Sequence, residues 1–511
     1  MKKILLVGPF KNSELRIGQY LCPPIGIYRI KSYIEQNSKN KVDIIDLDID
    51  GKSYFLDSIK NKDYDIIGFS LLQPTLKNDL ILIHEAKEIS PKSLLVAGGQ
   101  GAAFNHEVLL KKTQLDVIVR GFGELTFLDI VSDKPLETIK GLYIKKDEKI
   151  VDTGNTNPYT SKLFREISLS FDFSKVPYER YWRFMENIYS EEHLRIMKNE
   201  DFLYTIRIMT SSHCPQKCSF CSSTNFLDDA SQCQKRLFLD AKDIALMVKK
   251  AIENHPECRA VYFNDDDFLF DKARILELCK ELGSIKGISY FCLSRIDHID
   301  EGILSVLKSA NFKFIIYGVE SFSNKILSHM NKNILCNNPR ELSKIVIKKT
   351  IDRGITPLMN IILFYPSSDI KDIIENIENC IDLVEYGARL TVYPYIEFYA
   401  GASMFKDEKF DYIKEKINLK DAIIELPNLV VPKQEKINIL AYEAIRIREN
   451  IIKDTLKKYD WKGVIPHPLY GLSLFLAVYR ILGIDESRID QTIEKVMTQE
   501  ARITQKMEVE L

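Results

Sequence analysis

Short runs of Ile, Val and Leu alternate with segments of helical period along the first part of the chain. Lys3–Val7, Val42–Leu47, Asp65–Ser70, Ser93–Ala97 and Asp116–Val119 are almost continuously apolar, the pattern of strands covered on both faces. Between them, Ile25–Gln36, Leu76–Ile89 and Glu107–Lys112 carry apolar residues at helical spacing. This βαβ rhythm predicts a doubly wound (Rossmann-like) α/β domain with a parallel sheet. Ligands of such sheets sit beyond the carboxyl ends of the strands. Those ends read Gly8-Pro9-Phe10, Ser70-Leu71-Leu72-Gln73-Pro74-Thr75, Gly98-Gly99-Gln100-Gly101 and Gly121-Phe122-Gly123-Glu124.

The pattern changes after Gly141. Leu142–Val151 reads as a hairpin with a charged turn, and residues 150–200 as a packed, aromatic-rich connector holding Trp182. A second βα series follows, with strands expected at Thr205–Thr210, Arg259–Asn264, Ile288–Leu293, Phe314–Gly318, Leu358–Phe364 and Arg389–Tyr395. Ala241–Glu253, Lys272–Leu282 and Pro339–Arg353 are helical segments between them. Six such units predict a partial (β/α)6 barrel with its site at the strand C-terminal ends. The expected division is 1–140, doubly wound domain; 141–203, hairpin and linker; 204–400, partial barrel; and 401–511, helical.

The balance of 45% hydrophobic and 28% charged residues is that of a chain able to bury cores. The net charge, 71 − 72 = −1, argues against a protein built to coat nucleic acid. No apolar run is long enough to span a bilayer, and Gly471 to Ile484 is interrupted by Arg480. The apolar run in Met1–Gly8 is too short for a signal peptide. The expectation is a cytoplasmic protein whose ten cysteines stay reduced.

Three of those cysteines, Cys214, Cys218 and Cys221, form a C-x3-C-x2-C cluster after the first expected barrel strand. Three thiolates can hold three irons of a [4Fe-4S] cubane and leave the fourth open to a small molecule. A closed zinc site with Cys233 as fourth ligand is the competing reading, although the spacing differs from paired CxxC knuckles.

With Phe220 before the last cysteine, the motif resembles the radical S-adenosylmethionine superfamily. The resemblance implies a cluster whose open iron chelates S-adenosylmethionine and cleaves it to a 5′-deoxyadenosyl radical, with Phe220 against the adenine. It also implies cofactor contacts from later strand ends. Asn264-Asp265-Asp266-Asp267-Phe268 follows the second strand, where Asp265 and Asp266 would take the ammonium. Ser294 would meet the ribose and Arg295 the carboxylate, and Glu320 and Ser321 match the family's Gly-Ile-Glu-Ser. Phe364-Tyr365-Pro366-Ser367-Ser368-Asp369 departs from the usual fifth-strand pattern. Each group has a plainer reading: a capped turn with Asp267 or Asp271 as cap, a surface ion pair, and a structural acceptor.

The N-terminal domain is similar to the cobalamin-binding domains fused to such enzymes. The matching pieces are Pro23-Pro24-Ile25-Gly26, Ile67-Gly68-Phe69-Ser70, Gly98-Gly99-Gln100-Gly101 and Arg120-Gly121-Phe122-Gly123-Glu124. The eight histidines do not form the Asp-x-His-x-x-Gly pattern of a histidine-ligated corrinoid. By resemblance the loop Leu72, Gln73 and Thr75 would meet the lower face of the corrinoid. The plainer reading packs Leu72 in the core and makes Gln73 a cap of the helix at Leu76.

Together these imply a cobalamin-dependent radical enzyme, foremost a methyltransferase acting on an unactivated carbon or a phosphorus centre. Ring closure or rearrangement with the same cofactors is the alternative. A cobalamin sensor or carrier and a zinc-stabilised interaction protein are the readings from other classes. The expected partners are a small-molecule or peptide substrate and an electron donor such as flavodoxin or ferredoxin, with no nucleic acid and no membrane span.

Overall fold

The computed structural model describes residues 1–10, 21–147, 149–188, 201–233, 235–334, 336–397, 399–406, 429–430, 432–461 and 466–509. The last part of the expected connector, 189–200, and residues 407–428 of the helical region lie outside these.

The N-terminal sheet has seven strands: β1 (Lys3–Val7), β2 (Lys41–Ile45), β3 (Ile66–Ser70), β4 (Leu94–Gly98), β5 (Val117–Val119), β6 (Leu142–Lys146) and β7 (Lys149–Asp152). Their order is β2-β1-β3-β4-β5-β6-β7. The first five pair in parallel, and β6 and β7 add antiparallel. The expected hairpin therefore extends the N-terminal sheet to Asp152. The strand expected at Val42–Leu47 stops at Ile45. Asp46 accepts from Asp48 N at 3.1 Å and caps a helix, Leu47–Asn61, that the periodicity did not indicate. Gly51 departs from helical geometry inside that helix and breaks its apolar stripe.

The connector folds into helices Ser161–Leu169 and Tyr178–Ile188. Trp182 is 1% exposed, and the Tyr181 hydroxyl donates to Asp46, so this helix is pinned to the N-terminal domain.

The second sheet runs β8 (Thr205–Ile208), β9 (Ala260–Phe263), β10 (Ser289–Ser294), β11 (Phe312–Glu320), β12 (Thr356–Ile362) and β13 (Arg389–Tyr393). It is parallel throughout, with β8 and β13 at its edges, an open barrel of six strands. Register aligns Tyr262, Phe291 and Phe314, and Phe202 stacks on the two phenylalanines at 4.8 and 4.6 Å. These rings form an aromatic floor inside the barrel. The apolar run near Gly471 is a buried helix, His467–Leu482, with Gly471 packed against Leu390 and Val392 of β13. No described helix is long and apolar enough to cross a membrane.

Candidate active site

The chain leaves β8 at Ile208 and forms the loop that carries Cys214, Cys218 and Cys221, all half-buried. Asp265, at the end of β9, braces the loop's start. Its carboxylate accepts from Thr210 N at 3.1 Å, Thr210 Oγ1 at 2.8 Å and the Ser211 hydroxyl. Cys221 N donates to Cys218 O at 3.1 Å, and Ser223 N to Cys221 Sγ at 3.5 Å. Burial pushes the Cys214 and Cys221 thiols up to about 12, and Cys214 and Cys218 add to the shift at Cys221. Cys221 feels both other thiols, and three thiols on one loop are the donor set for three corners of a cubane, whose cationic iron core would hold them as thiolates. Cys233 is buried and bonds Ser212, two residues before Cys214.

Asp266 is exposed on the loop after β9. Surrounding protein raises its pKa by desolvation, while the Ser223 hydroxyl and the Cys214 backbone bond it. Asp267 is fully buried and accepts from Ser294 Oγ and Arg295 N at 3.3 Å and from His298 Nδ1 at 3.1 Å. The cap of helix Lys272–Leu282 is Asp271, which accepts from Arg274 N at 3.0 Å. Arg295 lies beside Cys218, but two of its nitrogens already bond Asp297, at 2.9 and 2.8 Å. Glu320 accepts from Lys332 Nζ at 2.9 Å. Ser321 is buried and donates to Asn376 Oδ1 at 3.1 Å. Phe220 packs on Ile326, Met330, Ile362 and Tyr365. The divergent fifth-strand segment still reaches the loop, with Tyr365 Oη 3.4 Å from Ser219 Oγ.

The glycine-ended strands open on a cavity of about 320 Å3 between the two sheets. Leu72, Gly98, Gly99, Gln100, Gly121, Gly123 and Glu124 line it from one side, and Arg207, Met209, Phe226 and Asn264 from the other. Leu72 is 38% exposed, whereas Gln73 turns inward and accepts from Asn105 Nδ2 at 2.9 Å. Thr75 is buried against Asp79, at 2.6 Å. A Cβ at Gly26 would meet nothing within 4 Å, so this wall leaves room for a bulky ring system. His106 stacks on Tyr143 with centroids 3.6 Å apart and does not line the cavity.

Residues just past Cys221 form the joint between the sheets. Ser222 donates to Gln100 Oε1 at 2.8 Å. The Gln232 side chain bonds both Phe122 N, at 2.6 Å, and Phe122 O, at 2.9 Å. Sequence reasoning missed Gln232, Asp297 and Lys332. Gln232 and Lys332 act through partners 110 and 12 positions away, whereas Asp297 pairs with Arg295 two positions away, and the turn residues Asn331 and Asn333 around Lys332 offered a further signal.

Comparison with known proteins follows the same division. Residues 18–131 match the B12 binding domain and residues 208–416 the radical SAM superfamily. An uncharacterized methyltransferase of Pyrococcus horikoshii is 24% identical over 492 residues, 92% of this chain and 98% of that protein. An anaerobic magnesium-protoporphyrin IX monomethyl ester cyclase of Rubrivivax gelatinosus is 24% identical over 351 residues, 65% of this chain and 57% of that protein. The solved structure of the cobalamin-dependent S-adenosylmethionine radical enzyme OxsB, with aqua-cobalamin and S-adenosylmethionine bound, shares the fold. Its TM-score is 0.65 at 16% identity, over 100% of this chain and 80% of that one.

Proposed function

Because this chain belongs to the cobalamin-binding radical S-adenosylmethionine enzymes, we propose that it methylates an unactivated carbon or a phosphorus centre of a small molecule. The observation that carries this reading is the single cavity walled by both domains, with Gly98 and Gly99 on one side and Met209 and Asn264 on the other. When bound, the cluster with S-adenosylmethionine supplies a hydrogen-abstracting radical and the corrinoid a transferable methyl group.

In this reading Cys214, Cys218 and Cys221 each hold one iron, and Asp265 fixes the loop that presents them. Asp266 would take the ammonium of S-adenosylmethionine, and Phe220 would pack against its adenine. Leu72 would pack against the corrinoid from the cavity wall, with no atom that could ligate a metal. Phe122 and Phe226, with ring centroids 6.5 Å apart at the joint, help exclude water from the reacting groups. The electron comes from a flavodoxin- or ferredoxin-like donor in the cytoplasm.

Ring closure with the same cofactors is the second reading, favoured by the similarity to the cyclase. The test is anaerobic incubation with corrinoid, reductant, deuteromethyl-labelled S-adenosylmethionine and a metabolite extract. Methylation yields 5′-deoxyadenosine and S-adenosylhomocysteine together, with a product carrying the label. 5′-Deoxyadenosine without label transfer indicates ring closure or rearrangement, and formation of neither nucleoside rejects the enzyme.

A further inference from the structure

A buried ion pair beside the cysteine loop has no part in the reading above. Lys332 is 4% exposed, and the partner of its ammonium is Glu320, at 2.9 Å. Two features shape the pair, and a third ties its turn to the cysteine loop. The β11–β12 register is interrupted between Gly318 and Glu320, and Glu320 sits at φ +64°, a left-handed conformation that strains a residue with a side chain. A Cβ on Gly318 would lie 2.6 Å from Glu320 Oε1 and 2.9 Å from Lys332 Nζ, so glycine is what leaves space for the pair. The turn carrying Lys332 is strapped to the cysteine loop. Ser219 N donates to Met330 O at 2.8 Å, and Asn331 Nδ2 to Lys217 O at 2.7 Å. Arg295 Nη2 also reaches this turn, at 3.2 Å from Asn333 O, but its guanidinium is already neutralised by Asp297.

An ion pair taken out of water is a weak source of stability, since desolvation offsets the attraction. Here it is also built on a strained residue. A purely structural pair needs neither the strain nor the strap to the cysteine loop. The two strap bonds flank Cys218 at Lys217 and Ser219, and so hold the turn that carries the buried ammonium against the loop that carries this thiol. Nearby charge, hydrogen bonding and burial are the protein's means of setting the potential of an iron–sulfur cluster.

We propose that Lys332 is a positioning residue for electron uptake: its buried ammonium raises the reduction potential of the cluster held by Cys214, Cys218 and Cys221, and Glu320 moderates it. The step favoured is one-electron reduction of the cluster core from 2+ to 1+ by an external donor, dithionite in the test. No bond forms or breaks, and no proton moves.

The inference rests on cluster binding as read above. The experiment is a potentiometric titration of the full-length, anaerobically reconstituted protein, followed by electron paramagnetic resonance of the reduced cluster, with neither S-adenosylmethionine nor corrinoid added. Lys332→Met is expected to lower the midpoint potential and Glu320→Gln to raise it. Lys332→Arg is expected to keep the wild-type value, and iron content is expected to be the same in all. A merely structural pair would not move the two potentials in opposite directions. The double variant Lys332→Met/Glu320→Gln leaves no unpaired buried charge, and its potential is expected to fall by less than that of Lys332→Met. It serves if the single variant does not fold. Equal iron with coincident potentials overturns the role of Lys332 alone. Wild-type protein that takes up no iron overturns the cluster reading and this inference with it.

Discussion

Ser222, the residue after Cys221, donates its hydroxyl hydrogen to Gln100 Oε1 at 2.8 Å across 122 positions of sequence. Gln100 begins the short helix that follows Gly98 and Gly99. One bond thus joins the loop that presents the cysteines to the loop that lines the cavity between the sheets. A neutral hydrogen bond contributes about 0.5–1.5 kcal/mol net. Ser222→Ala is therefore expected to weaken hydroxocobalamin binding by roughly 2- to 12-fold while leaving iron content unchanged. Equilibrium dialysis beside an iron assay checks both halves.

The thiols should divide cleanly. Cys214→Ala, Cys218→Ala or Cys221→Ala is expected to lose the broad visible absorbance of the cluster and all 5′-deoxyadenosine formation. The reconstituted wild type should hold about four irons. Cys233→Ala should retain both properties, because that thiol is buried and already bonds Ser212. Loss of iron in Cys233→Ala would restore the four-cysteine zinc reading.

Asp266 and Arg295 were expected to act alike on S-adenosylmethionine, and their surroundings now separate them. Asp266→Asn should weaken S-adenosylmethionine binding roughly 10- to 150-fold, the loss of one charge-assisted hydrogen bond of about 1.5–3 kcal/mol. Arg295→Ala leaves Asp297 buried without its cation. Its main effect should be a loss of stability of about 3–5 kcal/mol, read by urea unfolding.

The corrinoid cavity offers two contrasting glycines. Gly99 lies at φ +90°, and a Cβ there would sit 2.8 Å from Leu71 O, so Gly99→Val should distort the loop and lower the unfolding midpoint. Gly26 lines the cavity with nothing within 4 Å of its Cβ position. Gly26→Leu should abolish corrinoid uptake at nearly unchanged stability, measured by absorbance of the loaded protein and by thermal unfolding. In wild type, the cob(II)alamin electron paramagnetic resonance spectrum should show no nitrogen splitting from a lower ligand, since no described histidine lines the cavity.

Asp46 should make stability pH-dependent. Burial raises its pKa to about 6, against the opposing effect of its bond to Tyr181. With the folded pKa above the unfolded one, the folded protein binds the proton more tightly. Stability from this group is full below pH 4 and is lost as pH rises through about 6. The shift corresponds to about 3 kcal/mol. Asp46→Asn keeps a helix cap and removes the titration, so urea midpoints of variant and wild type should diverge, in the variant's favour, between pH 4 and pH 7.

Much of this was legible in one dimension. Continuous Ile/Val/Leu runs separated by helical stretches identified all eleven parallel strands to within a few residues, and helix Leu76–Ile89 appeared at the bounds expected. The kinked helix Leu47–Asn61 was missed because Gly51 breaks its apolar stripe. The cysteine spacing, the aromatic before Cys221 and the glycine-ended strands were visible because each motif lies within a few residues of chain.

What the sequence by itself determined is thus the order of elements and the local chemistry at their ends, since backbone period and short motifs depend on near neighbours. The tertiary structure decided which of those chemistries meet. It turned Gln73 to Asn105 and set Lys332 against Glu320 twelve residues away. It also joined Ser222 to Gln100. A buried polar group must find a partner in three dimensions, and that partner is chosen by how the sheets pack, which no run of adjacent residues records.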